Sequence, residues 1–149
     1  MEIHVIMNKK IIVVPIVAMV AIFLMSFSSD KSSQKDDVSF HVTLADPELY
    51  MNGVYSSTVT IEKGDYIFRF VPNGSSPKVL SIMLSGETVD FSEDFQLVGT
   101  SHQTGISEYF TWDYNGEREI SISEKQEISI VINPNYETLG SVSVDILEN

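Results

Sequence analysis

After residue 37 the chain places apolar side chains at every second position, run after run. Val38, Phe40, Val42 and Leu44 alternate with Ser39, His41 and Thr43. Tyr66, Phe68 and Phe70 share one face of a later run, with Arg69 on the other. Leu80, Ile82 and Leu84 follow, then Ile120 and Ile122, then Ile128, Ile130 and Ile132, and finally Val142, Val144 and Ile146. A period of two gives one buried and one wet face, so each run predicts a strand. No window there carries apolar residues at i, i+3, i+4 and i+7 for long enough to make a core helix. Turn-forming residues punctuate the runs: Lys63-Gly64-Asp65, Pro72-Asn73-Gly74, Ser85-Gly86, Asn115-Gly116, Asn133-Pro134-Asn135 and Leu139-Gly140. Eight or nine short strands at this spacing predict an all-β fold, a single antiparallel β-sandwich of jelly-roll-like type over Val38–Asn149.

One turn invites an argument about register. A two-residue loop at Asn115-Gly116 would put Phe110 and Trp112 on the opposite face from Ile120 and Ile122. A three-residue loop with a bulge at Gly116 pairs Phe110 with Ile120 and Trp112 with Arg118, which keeps the apolar residues together; burial fixes register, so the bulged hairpin is expected. At Glu124-Lys125-Gln126 two readings stay open. A tight turn would bring Ile122 to Ile128 and Ile120 to Ile130, or the chain crosses to a second sheet.

Upstream of residue 38 the pattern changes. Ile11–Phe27 is 17 residues of uncharged, almost wholly apolar sequence, preceded by Lys9 and Lys10. Residues 1–10 read as a cytoplasmic n-region, 11–27 as a transmembrane or signal segment, and 28–37 (SSDKSSQKDD) as a flexible polar tether. Positive charge before the apolar stretch sends the C-terminal domain outside. The length lies between a signal peptide and a spanning helix. The protein is therefore expected either to stay membrane-anchored or to be secreted after cleavage near Ser28, with a retained anchor favoured. Met7-Asn8-Lys9-Lys10 is a more ordinary start for such a segment than Met1.

Composition sharpens this picture through charge. Val38–Asn149 holds 17 Asp and Glu against 5 Lys and Arg, a net of −12. Such a surface repels phosphate backbones, so nucleic-acid binding is not expected. With no cysteine, disulfides, thiolate metal sites, blue copper and a lipidated cysteine anchor are excluded.

Candidate chemistry is sparse. Gly86–Gly105 lacks clean alternation and reads as a loop, in which Asp90, Glu93 and Asp94 could supply oxygens to a structural calcium; the bland alternative is a solvated acidic loop. Tyr50 and Tyr55 flank the Met51-Asn52-Gly53 loop, and with Tyr109 they are the candidate ligand-stacking aromatics. Phe110, Trp112 and Tyr114 belong by alternation to the core face. Asn73-Gly74-Ser75 is a glycosylation sequon in a turn. His41 and His102 lack metal-binding spacing. An enzyme would require a pair such as His102 with a carboxylate in a cleft, and no motif announces one.

Ile61-Glu62-Lys63-Gly64-Asp65-Tyr66-Ile67-Phe68-Arg69-Phe70, followed by Leu80-Ser81-Ile82-Met83-Leu84-Ser85-Gly86, resembles the pre-peptidase C-terminal type of β-sandwich. That resemblance covers about a fifth of the chain and implies a jelly-roll-like accessory domain without catalysis. The family usually accompanies an enzyme, and the chain carries none. As a whole the chain is similar to small anchored surface proteins of archaeal envelopes. The expected function is thus a non-catalytic envelope protein, held to the membrane by its N-terminal helix, that offers an acidic sandwich to an envelope protein or polysaccharide. A carbohydrate- or calcium-binding module is the alternative.

Overall fold

A computed structural model describes residues 37–149. The n-region, the apolar segment and the tether up to residue 36 lie outside the described residues. Nine strands follow one another: β1 (Val38–Leu44), β2 (Tyr55–Ile61), β3 (Gly64–Pro72), β4 (Val79–Ser85), β5 (Asp90–Gln103), β6 (Glu108–Asn115), β7 (Glu119–Ile122), β8 (Gln126–Asn133) and β9 (Val142–Glu148). A single 3-10 turn, Pro47–Leu49, sits between β1 and β2, its first turn capped by Asp46 Oδ1 accepting from the Glu48 N–H at 2.9 Å. Among the described residues no helix is long and apolar enough to cross a membrane.

The strands form two antiparallel sheets. One has four strands in the order β1-β9-β3-β7, the other five in the order β2-β8-β4-β5-β6. Chain neighbours mostly lie in different sheets; only β4, β5 and β6 succeed one another in the same one. The alternating residues read from sequence are those that fill the space between: Leu44, Phe68, Leu80, Ile82, Leu84, Ile128, Ile130, Ile132, Val142, Val144 and Ile146 are all essentially inaccessible. An aromatic seam joins the layers. Phe68 and Phe70 of one sheet meet Phe95 of the other at 5.7 and 4.7 Å between ring centroids, and Phe70 meets Tyr114 at 5.2 Å.

One sequence expectation fails here, the hairpin after β6. No hairpin joins β6 to β7: β6 pairs with β5, setting Phe110 opposite Ser101 and Trp112 opposite Gly99, while β7 pairs with β3. The Asn115–Arg118 segment instead crosses between sheets. Tyr114 and Ile120 do face one core, but from opposite layers, so alternation was satisfied without the pairing it suggested. Gly116 lies where a Cβ would come within 2.7 Å of the Phe95 ring, which leaves room only for glycine. The second connection also crosses, from β7 to β8, so of the two readings left open at Glu124-Lys125-Gln126 the crossing holds. Buried Gln126 fastens it: its Oε1 accepts the Thr88 N–H at 2.9 Å and its Nε2 donates to Thr88 Oγ1 at 2.5 Å.

The remaining correction concerns Gly86–Gly105. Most of it is not a loop but β5, the longest strand. Its inward positions run Phe91, Glu93, Phe95, Leu97, Gly99, Ser101, Gln103. They turn polar because the strand runs past the end of the core.

Buried phenols set a limit at alkaline pH. Burial pushes Tyr114 and Tyr66 above the ordinary tyrosine value of 10.0. Each stays neutral in the fold while the unfolded chain ionises, so the stability they confer is complete below pH 10 and is lost as pH rises beyond it. For Tyr114, the more strongly shifted of the two, the cost above pH 10 should approach about 1.4 kcal/mol per pH unit. Urea unfolding between pH 9 and 11.5 measures the slope, and Tyr114→Phe should lessen it by one group's share.

Candidate functional site

The proposed oxygen ligands do not converge. On β5, Asp90 and Asp94 point to the outer face, whereas Glu93 points inward, where its Oε1 accepts the Glu117 N–H at 3.2 Å and steadies the crossing after β6. Among the described residues no three His, Asp or Glu groups gather to hold a metal ion. The aromatic candidates also separate. Tyr50 and Tyr55 are half-buried against the core rather than free at a loop. The Tyr50 hydroxyl is enclosed, and burial raises its pKa. Tyr109 alone of the three is open, at 51% exposure. Asn73 is exposed in the β3–β4 connection, its N–H donating to the Ser141 carbonyl at 2.9 Å.

Two constellations emerge that the sequence reading missed. The first is a polar row across the outer face of the four-stranded sheet. Register aligns His41 of β1, Asp145 of β9 and Arg69 of β3 side by side. Asp145 is buried, its side chain 4% exposed, and takes His41 Nδ1 at 2.5 Å and Arg69 Nε at 3.0 Å. His41 Nε2 faces Thr43 Oγ1 at 3.3 Å, and Thr43 meets Ser143 Oγ at 2.8 Å. Acid, imidazole and hydroxyl thus stand in the order a hydrolase uses. A nucleophile also needs donors converging on a developing oxyanion. The N–H groups of β9, flanked on both sides, are taken up in the two ladders, and the row lies on a sheet face. The arrangement satisfies a buried carboxylate, which would otherwise be costly.

The second is the far half of the β5–β6 ribbon. Here alternation was right and burial was not: Phe110, Trp112 and Tyr114 do share the inward face, yet only Tyr114 is buried and Phe110 is 50% exposed. The physical reason is that β6 is the outermost strand of the wider sheet, and the narrower sheet ends on β7, only four residues long. The inward face of the ribbon therefore runs out beyond its cover. Phe110 and Trp112 stack nearly parallel, 5.8 Å apart at 24°. Trp112 lies over Gly99, where a Cβ would meet the indole at 2.6 Å; the glycine lets the ring settle onto the backbone. On the opposite face His102 stacks on Tyr109 at 4.9 Å and hydrogen-bonds Thr111 Oγ1 at 2.8 Å.

The chain matches no known protein family, no characterised protein and no solved structure. Its own geometry must carry the reading. The ribbon tip, Thr104–Ser107, closes by Thr104 N–H to the Ser107 carbonyl at 2.8 Å and turns at Gly105, whose φ is +66°, leaving Ile106 fully exposed. Val98, Ile106, Tyr109 and Phe110 are all exposed on this one ribbon, at the end of a strongly acidic domain. They lie on both faces, Val98 and Tyr109 outward and Phe110 inward, with Ile106 at the tip.

Proposed function

We propose that this protein is a non-catalytic envelope component, an acidic jelly roll carried outside the membrane by its N-terminal apolar segment, that contacts another envelope component through the β5–β6 ribbon. The strand orders support the jelly roll: chain neighbours alternate between layers, with β5 and β6 forming an extra hairpin on one edge. Lys9 and Lys10 ahead of Ile11–Phe27 support the orientation. The single observation that carries the binding role is the stack of exposed Phe110 on half-buried Trp112 on the uncovered face.

Trp112 is the only tryptophan, so its emission reports this surface directly. The full chain in non-ionic detergent is titrated with solubilised envelope protein and, separately, with envelope polysaccharide. A saturable emission change is expected, weakened about tenfold or more in Phe110→Ser, as for an aromatic anchor. Binding that Phe110→Ser leaves untouched, or no binding to either fraction, would overturn the role. A sugar-binding reading has its own support in the near-parallel pair of rings, which suits stacking on a pyranose face. Saturation by the polysaccharide alone would favour it.

A further inference from the structure

The face of the ribbon is one surface; its edge is another. Asp113 Oδ1 accepts the Tyr114 N–H at 2.8 Å, and Arg118 Nη2 donates to the Tyr114 carbonyl, while Arg118 also pairs with Asp113 at 2.9 Å. Both backbone groups of Tyr114 thus point away from β5 and are capped. In an antiparallel ladder successive residues point their backbone groups to alternate sides. Those of Trp112 and Phe110 therefore point out at the same free edge. Among the described residues nothing takes them, and no strand lies beyond β6. Such an edge is a template for another strand. The other edges are less inviting: β1 is bulged between Val38 and Phe40, β7 has four residues, and β2 is rich in Ser and Thr.

We infer that the β6 edge pairs with β6 of a second copy of this chain, antiparallel about a two-fold axis at Thr111. Self-pairing fits the segment for three reasons. First, a register centred on Thr111 sets Phe110 of each copy opposite Trp112 of the other. Both residues present outward backbone groups, so each of these pairs can exchange two hydrogen bonds. The same register collects two Phe110–Trp112 stacks into one four-ring cluster on the uncovered face. Second, it opposes no two carboxylates, because Asp113 meets Tyr109 and Glu108 meets Tyr114, whose backbone groups are already capped and mark the end of the pairing. Third, the outer face offers a receptor for that Tyr109. An open depression of about 380 Å³ lies beside Asp113, lined by Val98, Thr100, Asn115 and Arg118. Because the pairing is antiparallel, the two sandwiches leave the shared ribbon at opposite ends, and their charge of −12 each is held apart.

The chain has no cysteine, so one introduced thiol reports the axis cleanly. Opposite residues in a non-hydrogen-bonded antiparallel pair stand about 4.5 Å apart at Cα, within disulfide range. Full-length Thr111→Cys, in detergent micelles under mild oxidation, should form a disulfide dimer in at least fivefold higher yield than Ser56→Cys on the β2 edge. Circular dichroism checks that both variants are folded. Phe110→Lys placed in the Thr111→Cys background should suppress the dimer while the melting curve stays two-state. Raising salt from 20 to 500 mM should increase dimer yield by screening the like charges. Equal yields from the two cysteine positions, no effect of Phe110→Lys, or dimer loss with salt would each overturn the inference. None of these outcomes bears on whether an envelope ligand binds the Phe110–Trp112 face, which the emission titration measures separately.

Discussion

Phe68→Ala should destabilise the domain by about 4 kcal/mol, within the range for deleting a buried aromatic ring. Phe68 is the centre of the seam. Its ring touches Phe70 at 6.1 Å within its own sheet and Phe91 and Phe95 of the facing sheet at 5.5 and 5.7 Å, and it is 1% exposed. Removing it loses the transfer free energy of the ring and leaves a void bounded by side chains of two rigid layers, which cannot easily close. For a domain of ordinary stability, about 5–15 kcal/mol, that is a large share of the total. Urea denaturation followed by circular dichroism measures it. The neighbouring Val71→Ala, on the exposed side of the same strand, should change stability by less than about 0.5 kcal/mol. A cost for Phe68→Ala below about 1 kcal/mol would mean that the two sheets do not pack as described.

Gly140→Ala should cost about 3 kcal/mol, although it adds one methyl group and Gly140 needs no left-handed backbone. A Cβ there would stand 2.5 Å from both the Pro77 nitrogen and the Ser76 carbonyl carbon. Those atoms are backbone and are held in place. The Tyr114 hydroxyl donates to the Pro77 carbonyl at 2.5 Å, and Glu137 Oε2 accepts the Lys78 N–H at 2.5 Å. Nothing there can turn aside as a flexible side chain would, so the whole connection before β9 must move. Overpacking of a tight site costs about 1–3 kcal/mol, and backbone against backbone belongs at the upper end. The control is Gly53→Ala, where φ is +84° and nothing lies within 4 Å of the added atom. That change should cost only the left-handed backbone penalty, about 1–2 kcal/mol. Thermal melts of both variants beside the parent give the comparison, and equal costs would refute the close-contact explanation.

These two sites show what local pattern does and does not carry. At Phe68 the sequence sufficed, because Tyr66, Phe68 and Phe70 alternate with Arg69 and only one face of that strand could be buried. Nothing around Leu139-Gly140 distinguishes an ordinary turn from a glycine pressed against a chain more than sixty residues away. The same division runs through the candidate site. That Phe110, Trp112 and Tyr114 share a face was legible. That two of them lie outside the core was not, because cover depends on how far the opposite sheet extends. The row of His41, Asp145 and Arg69 left no trace in spacing, since its register is set by three strands far apart in sequence. Asp90, Glu93 and Asp94 looked clustered for the opposite reason: they are close along one strand, but its alternation turns Glu93 to the face away from Asp90 and Asp94.

By itself the sequence determined the inward faces of the cleanly alternating strands, the all-β class, the net negative charge and the lack of cysteine. These follow from the period of the side chains and from charge, which are properties of the chain at each position. Which strand pairs with which, and therefore that Asn115–Arg118 is a crossing rather than a hairpin, was decided only by the tertiary structure. Alternation records which side of a strand is dry and is silent about the neighbour on either edge. The uncovered ribbon and its free β6 edge arise at that level, where two sheets of unequal width are laid together.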